Sequence, residues 1–177
     1  MPDNNIFYSL EELTKSFKLK PNFLFYTFIF NDLSMINFKT LQIWERSHKI
    51  VLKVYALTNS FPNTENFGLT SQIRRSAVSV PSNIAEGCGR NSDGELSRFV
   101  TIAMGSSAEL EYQNILSKDL GYISENDFNQ LNQEIVEVRK MMNSFLDKVN
   151  KRKRTRKNLL LSLSFLIIIS TFLYIYK

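Results

Sequence analysis

Leu69 to Arg90 reads LTSQIRRSAVSVPSNIAEGCGR, and its reading decides the fold. Ile73, Ala77, Val80 and Ile84 recur at spacings of four, three and four, which places them on one face of a helix. Pro81 lies inside that pattern with no loop residues on either flank. A proline removes a backbone donor and crowds the carbonyl four residues back, so the spacing predicts a helix kinked or broken near Ala77. Ser76, Ser79 and Ser82 keep the side chains around that point small, as close passage of a second helix requires. Gly87 and Gly89 end the segment.

Working outward, Ser92-Asp93-Gly94-Glu95 is a capping box, in which the serine hydroxyl accepts from the Glu95 amide. The helix it opens carries Leu96, Phe99, Ala103, Ser106 and Leu110 on one face and runs to Gly121, a residue suited to a left-handed C-terminal cap. Its small middle, Ala103 to Ala108, contains Gly105, whose cost of about 1 kcal/mol relative to alanine points to tight packing. Ser124 opens a fourth helix with Asp127 three residues on and with Ile123 placed to pack on Phe128. From there Phe128, Leu131, Ile135, Val138, Met142, Phe145 and Val149 alternate spacings of three and four without a miss. Upstream, Thr40 to Asn59 carries two apolar stripes, one of Leu41, Trp44, His48, Val51 and Tyr55, the other of Ile43, Ile50, Val54 and Leu57. Two such faces on one helix call for a wide core or a partner subunit. Four helices with short connections and no competing period-2 pattern predict an all-α antiparallel four-helix bundle over residues 37–150, its second helix interrupted by proline.

The 177 residues, 44% hydrophobic, suffice for one domain with a real core plus extensions. A single cysteine, Cys88, makes no internal disulfide and no zinc spacing is present, which fits a reducing, cytoplasmic compartment. The formal net charge is +5, yet seven of the 22 basic residues follow residue 150 and all 17 acids precede it. Residues 1–150 thus hold fifteen basic against seventeen acidic side chains, a net −2, and the basicity belongs to the tail.

That tail divides in two. Residues 151–158, KRKRTRKN, form a basic linker, and Leu159 to Tyr176 carries no charge. Eighteen helical residues span about 27 Å, close to a bilayer's hydrocarbon thickness, and the preceding cluster would stay cytoplasmic. The expectation is a C-terminal transmembrane helix anchoring the bundle to the inner membrane. A buried oligomerisation helix and a non-functional tail from an altered reading frame are the other readings. The N-terminal extension, residues 1–36, has one dense apolar run, Phe23 to Phe30, too short to span a bilayer. It reads as a strand or helix packed on the body, or as a segment preceding a start at Met35, and carries no assigned role.

Little here points to catalysis. His48, the only histidine, has no local Ser, Cys or Asp pattern and reads as a core or interface residue. Cys88 has no partner motif, and Gly87-Cys88-Gly89-Arg90 lacks both the Walker lysine and the dinucleotide-binding spacing. Glu86, one turn past Pro81, is expected to be structural, paired with Arg74, Arg75 or Arg90. Arg74, Arg75, Arg90 and Arg98 flank the turn region and form a candidate phosphate-binding patch, with no aromatic interleaving in the sequence to mark a base-stacking platform. No catalytic residue, metal ligand, cofactor or small-molecule substrate is expected.

Three stretches, Phe38 to Trp44 (FKTLQIW), Gly68 to Gly87 (GLTSQIRRSAVSVPSNIAEG) and Ser107 to Tyr112 (SAELEY), in this order, resemble the small bacterial four-helix-bundle family whose members include proteins encoded in intervening sequences of 23S ribosomal RNA genes. Pro81, Asn83, Glu86 and Gly87 belong to its structural motif. The resemblance covers about residues 37–148 and implies a cytoplasmic protomer that assembles into a ring-like homopentamer without enzymatic activity. A related branch, the accessory protein of diversity-generating retroelements, associates with nucleic acid and reverse transcriptase through a basic surface. The first 36 residues and the tail from Lys151 lie outside the resemblance. The expected function is a non-enzymatic oligomeric bundle that serves as an RNA- or DNA-binding accessory factor; the alternative is a membrane-tethered protein-interaction module.

Overall fold

In a computed structural model the described residues are 36–176, with the side chains of several residues beyond 162 left out; the expected N-terminal extension lies outside them. Four α-helices follow a 3-10 turn at Phe38–Thr40: α1 (Gln42–Thr58), α2 (Leu69–Cys88), α3 (Asp93–Asp119) and α4 (Glu125–Ile175). No strand occurs among the described residues. Each helix packs on its neighbour in sequence and α1 closes against α4, the four-helix bundle that the periodicity predicts.

The ends are set by local chemistry. The Ser92 hydroxyl accepts from the Glu95 amide at 3.1 Å, and the Ser124 hydroxyl from the Asp127 amide at 3.1 Å. Gly121 adopts φ 72°, and the amides of Gly121 and Tyr122 return to the carbonyls of Lys118 and Ser117, the left-handed cap expected at the end of α3. At the start of α2 the Glu65 carboxylate takes the Leu69 amide at 2.8 Å.

The α4 stripe is buried as read, with Leu131, Ile135, Val138, Met142 and Val149 in the core and Phe145 packed on it. On α1 one stripe goes inside and the other is split. Ile43, Ile50 and Val54 are buried together with Val51, and Leu41 and Trp44 pack partly buried against the core, whereas Tyr55 is 43% exposed. His48 is exposed as well, its ring stacked on Trp44 at 5.4 Å, so it is not a core residue within the protomer.

Pro81 corrects the expected break. α2 is one uninterrupted helix with Pro81 buried inside it. Ile73, Ala77, Val80 and Ile84 bury a continuous face on both sides of the proline, and the Asn83 side-chain amide donates to the Ser79 carbonyl at 2.8 Å. Packing along twenty residues outweighs one lost backbone bond. The small residues do bring α2 and α3 together: the Ser79 and Ser106 hydroxyls lie 2.8 Å apart, and Ser76 Oγ lies 2.5 Å from Gln113 Oε1. A Cβ on Gly87 would stand 3.0 Å from Phe99 Cβ and 3.2 Å from Leu96 Cδ1. Gly105 differs from expectation, since a Cβ there meets nothing within 4 Å.

The tail is also corrected. Residues 151–158 are helical, part of α4, and Arg152 places its guanidinium on the Asp93 carboxylate at the start of α3 while Arg156 lies 3.6 Å from it. Among the described residues no helix is long and apolar enough to cross a membrane, so the expected transmembrane helix at 159–176 is not supported. Ser162 and Ser164 dilute the apolarity of that stretch, their hydroxyls bonded back to the carbonyls of Leu159 and Leu161.

Gly87→Ala is expected to cost about 1–3 kcal/mol through overpacking against α3, and Gly121→Ala about 1 kcal/mol through its left-handed backbone. Urea denaturation of each variant checks both; an unchanged midpoint for Gly87→Ala would contradict the close approach.

Candidate nucleic-acid interface

The four candidate arginines separate into two pairs with different electrostatics. Arg90, just past α2, pairs with Glu86 one turn back, and Arg98 on α3 pairs with Glu95 at 2.9 Å. The hydrogen bond from Arg98 holds the Glu95 carboxyl below the usual carboxylate range and raises the Arg98 guanidinium in turn. Both guanidiniums also lie over the Phe99 ring, at 5.1 Å and 4.4 Å from its centroid. Glu86 is exposed, and its pairing with Arg90, one of the three partners expected for it, is a surface contact. This side has its charge largely answered by its own carboxylates.

Arg74 stands on the α1 side of α2 and Arg75 on its exposed face, neither with a carboxylate partner among the described residues. Arg74 donates from Nε to the Thr58 hydroxyl at 2.7 Å and from Nη2 to Asn59 Oδ1 at 3.1 Å, and its guanidinium carbon lies 4.8 Å from the Tyr55 ring centroid. Arg75 donates to Gln72 Oε1 at 2.9 Å. Neutral acceptors orient both side chains and leave both charges uncompensated. They line a groove of about 620 Å³ together with Tyr55, Ser71 and Thr70. The sequence showed no aromatic beside these arginines because Tyr55 comes from another helix, 19 positions before Arg74.

Asn83 and Pro81 serve α2 itself, and Gly87 the α2–α3 contact. Among the described residues no group of three His, Cys, Asp or Glu is placed to hold a metal ion. Cys88 is buried at the end of α2, and burial pushes its thiol up to about 11.

With this geometry in view, the chain matches the family model described as 23S rRNA-intervening sequence protein over residues 39–144. It belongs to that family. A solved structure described as a protein with unknown function from the S23 ribosomal protein family, from Bacteroides thetaiotaomicron, is similar to it with a TM-score of 0.55 and 23% identity. The match covers 59% of this chain and 97% of that one, and at this identity it bears on the fold alone. Among curated proteins no match is found. The matched segment ends inside α4, so the distal part of that helix, including Arg152 and Arg156, is additional to the family's model.

A thiol at about 11 has roughly one thiolate in a thousand at pH 8. Native protein is therefore expected to resist a thiol reagent such as DTNB and to react fully only in denaturant. Complete labelling of the native state within minutes would show that Cys88 is accessible.

Proposed function

We propose that this family member is a non-enzymatic, self-assembling helix bundle that binds the phosphates of RNA or DNA as an accessory factor, with Arg74 and Arg75 as the contacting cations. The observation that carries the reading is the charge division: of four arginines in one region, only these two lack a carboxylate. A phosphate oxygen is the partner that such oriented, uncompensated guanidiniums suit best. The net −2 of residues 1–150 makes this a local contact and not a broad basic surface.

Self-assembly rests on a separate feature. Ile102, Gly105, Tyr112 and Ile115 share one exposed side of α3. Tyr112 is 64% exposed. Apolar side chains beside a bare glycine let a second backbone approach closely, which suits a contact between copies. The family resemblance implies five of them in a ring.

In filter binding across a salt series, Arg74→Gln/Arg75→Gln should lose most of the affinity for RNA or DNA and lower the salt slope by roughly 1.4 to 1.8. Arg90→Gln/Arg98→Gln should stay close to the parent. Equal losses in the two double variants would sink the assignment, and absence of binding at low salt would remove nucleic acid altogether. Light scattering of the parent should give a mass about five times 20.6 kDa. Gly105→Leu should lower that mass while leaving the helical signal intact, because the position faces no atom of its own protomer. A monomeric parent at micromolar concentration would contradict assembly.

A further inference from the structure

We infer that the groove beside Tyr55 and the N-terminal half of α2 takes one unpaired nucleotide of a single strand, its base against Tyr55 and its phosphate on Arg74 and Arg75. The inference rests on the nucleic-acid reading above and specifies which form of nucleic acid is taken.

Two observations lead there. The groove is shallow and open to solvent, with about 620 Å³ of space, and no carboxylate lines it. Tyr55 is partly exposed at its rim, with Arg74 already seated over the ring at 4.8 Å and pinned by Thr58 and Asn59. An aromatic face beside a fixed guanidinium is a stacking surface, and every base has a π-face to offer it. In a duplex the bases already stack on one another, so only an unpaired base can use this surface. Arg75, exposed and one residue on, supplies a second charge for the backbone.

The N-terminus of α2 is not the seat of the anion. Glu65 already takes the Leu69 amide there and does not line the groove. The charge that would hold a phosphate comes from the arginines one turn further along.

The test uses the full-length protein and fluorescence anisotropy with a labelled single strand of about ten nucleotides, as RNA and as DNA, and with the matching duplex. At low salt the single strand should bind about tenfold more tightly than the duplex. Tyr55→Leu should weaken single-strand binding about tenfold and leave duplex binding and the circular dichroism spectrum unchanged. Arg75→Gln should weaken both ligands and lower the single-strand salt slope by about 0.7. Equal affinity for strand and duplex, or no effect of Tyr55→Leu, overturns the nucleotide site while leaving phosphate binding by the arginines intact. Absence of binding to either ligand overturns both readings. Tight binding of free nucleoside monophosphate without any binding of the strand overturns the single-strand assignment. A Tyr55→Leu variant of changed assembly mass shows the groove to be a contact between copies.

Discussion

The close approach of α2 and α3 is the constraint on which the remaining structure depends. At Gly87 the helices are near enough that a methyl group would meet Phe99 and Leu96. Further along, Ser79 faces Ser106 and Ser76 faces Gln113, so hydroxyls and an amide occupy positions where larger side chains would push the backbones apart. The buried polar atoms are bonded across this contact, which keeps their desolvation from working against it. α1 and α4 then close the bundle with ordinary branched and unbranched aliphatic side chains, Val54 and Ile50 from one and Leu131, Ile135 and Met142 from the other. Pro81 is tolerated because this packing holds α2 on both sides of it.

Charge is distributed to match that arrangement. Arg46 and Lys53 on α1 reach Glu137 and Glu134 on α4 at 2.9 and 2.8 Å, and Arg139 on α4 reaches Glu111 on α3 at 2.6 Å. Asp93, buried at the beginning of α3, receives Arg152 and draws the basic stretch of α4 onto the bundle. Such exposed and half-exposed pairs contribute little individually to stability. Their larger consequence is electrostatic: several of the body's cations are answered by carboxylates within the chain, which leaves Arg74 and Arg75 as a local positive feature separate from the basic stretch at 151–158.

Much of the fold was legible in the residues. The stripe from Phe128 to Val149, the capping serines 92 and 124 and the glycine at 121 each act within one or two turns, where sequence neighbours are spatial neighbours. The errors arose where a choice depended on other helices. α1 offered two stripes in sequence, and only the positions of α2 and α4 made Ile43, Ile50, Val51 and Val54 the core and left Tyr55 and His48 outside. Pro81 looked like a break because local rules contain no term for the core on either side of it. Gly105 looked like a packing glycine because Ala103, Ser106, Ser107 and Ala108 around it are small, a pattern that does not say which side of the helix meets a neighbour.

By itself the sequence determined the helix count, most of the helix ends and the family. Those properties rest on periodicity, capping and motif order, all short-range. Only the tertiary structure decided which arginines are left without a carboxylate partner, because a guanidinium's field is offset by whichever carboxylate the fold places within about 4 Å of it. Glu86 and Glu95 reach Arg90 and Arg98 along or beside their own helices, while Arg74 and Arg75 face Thr58, Asn59 and Gln72. The same packing carried Tyr55 from α1 to Arg74 on α2, an encounter that no spacing within either helix encodes.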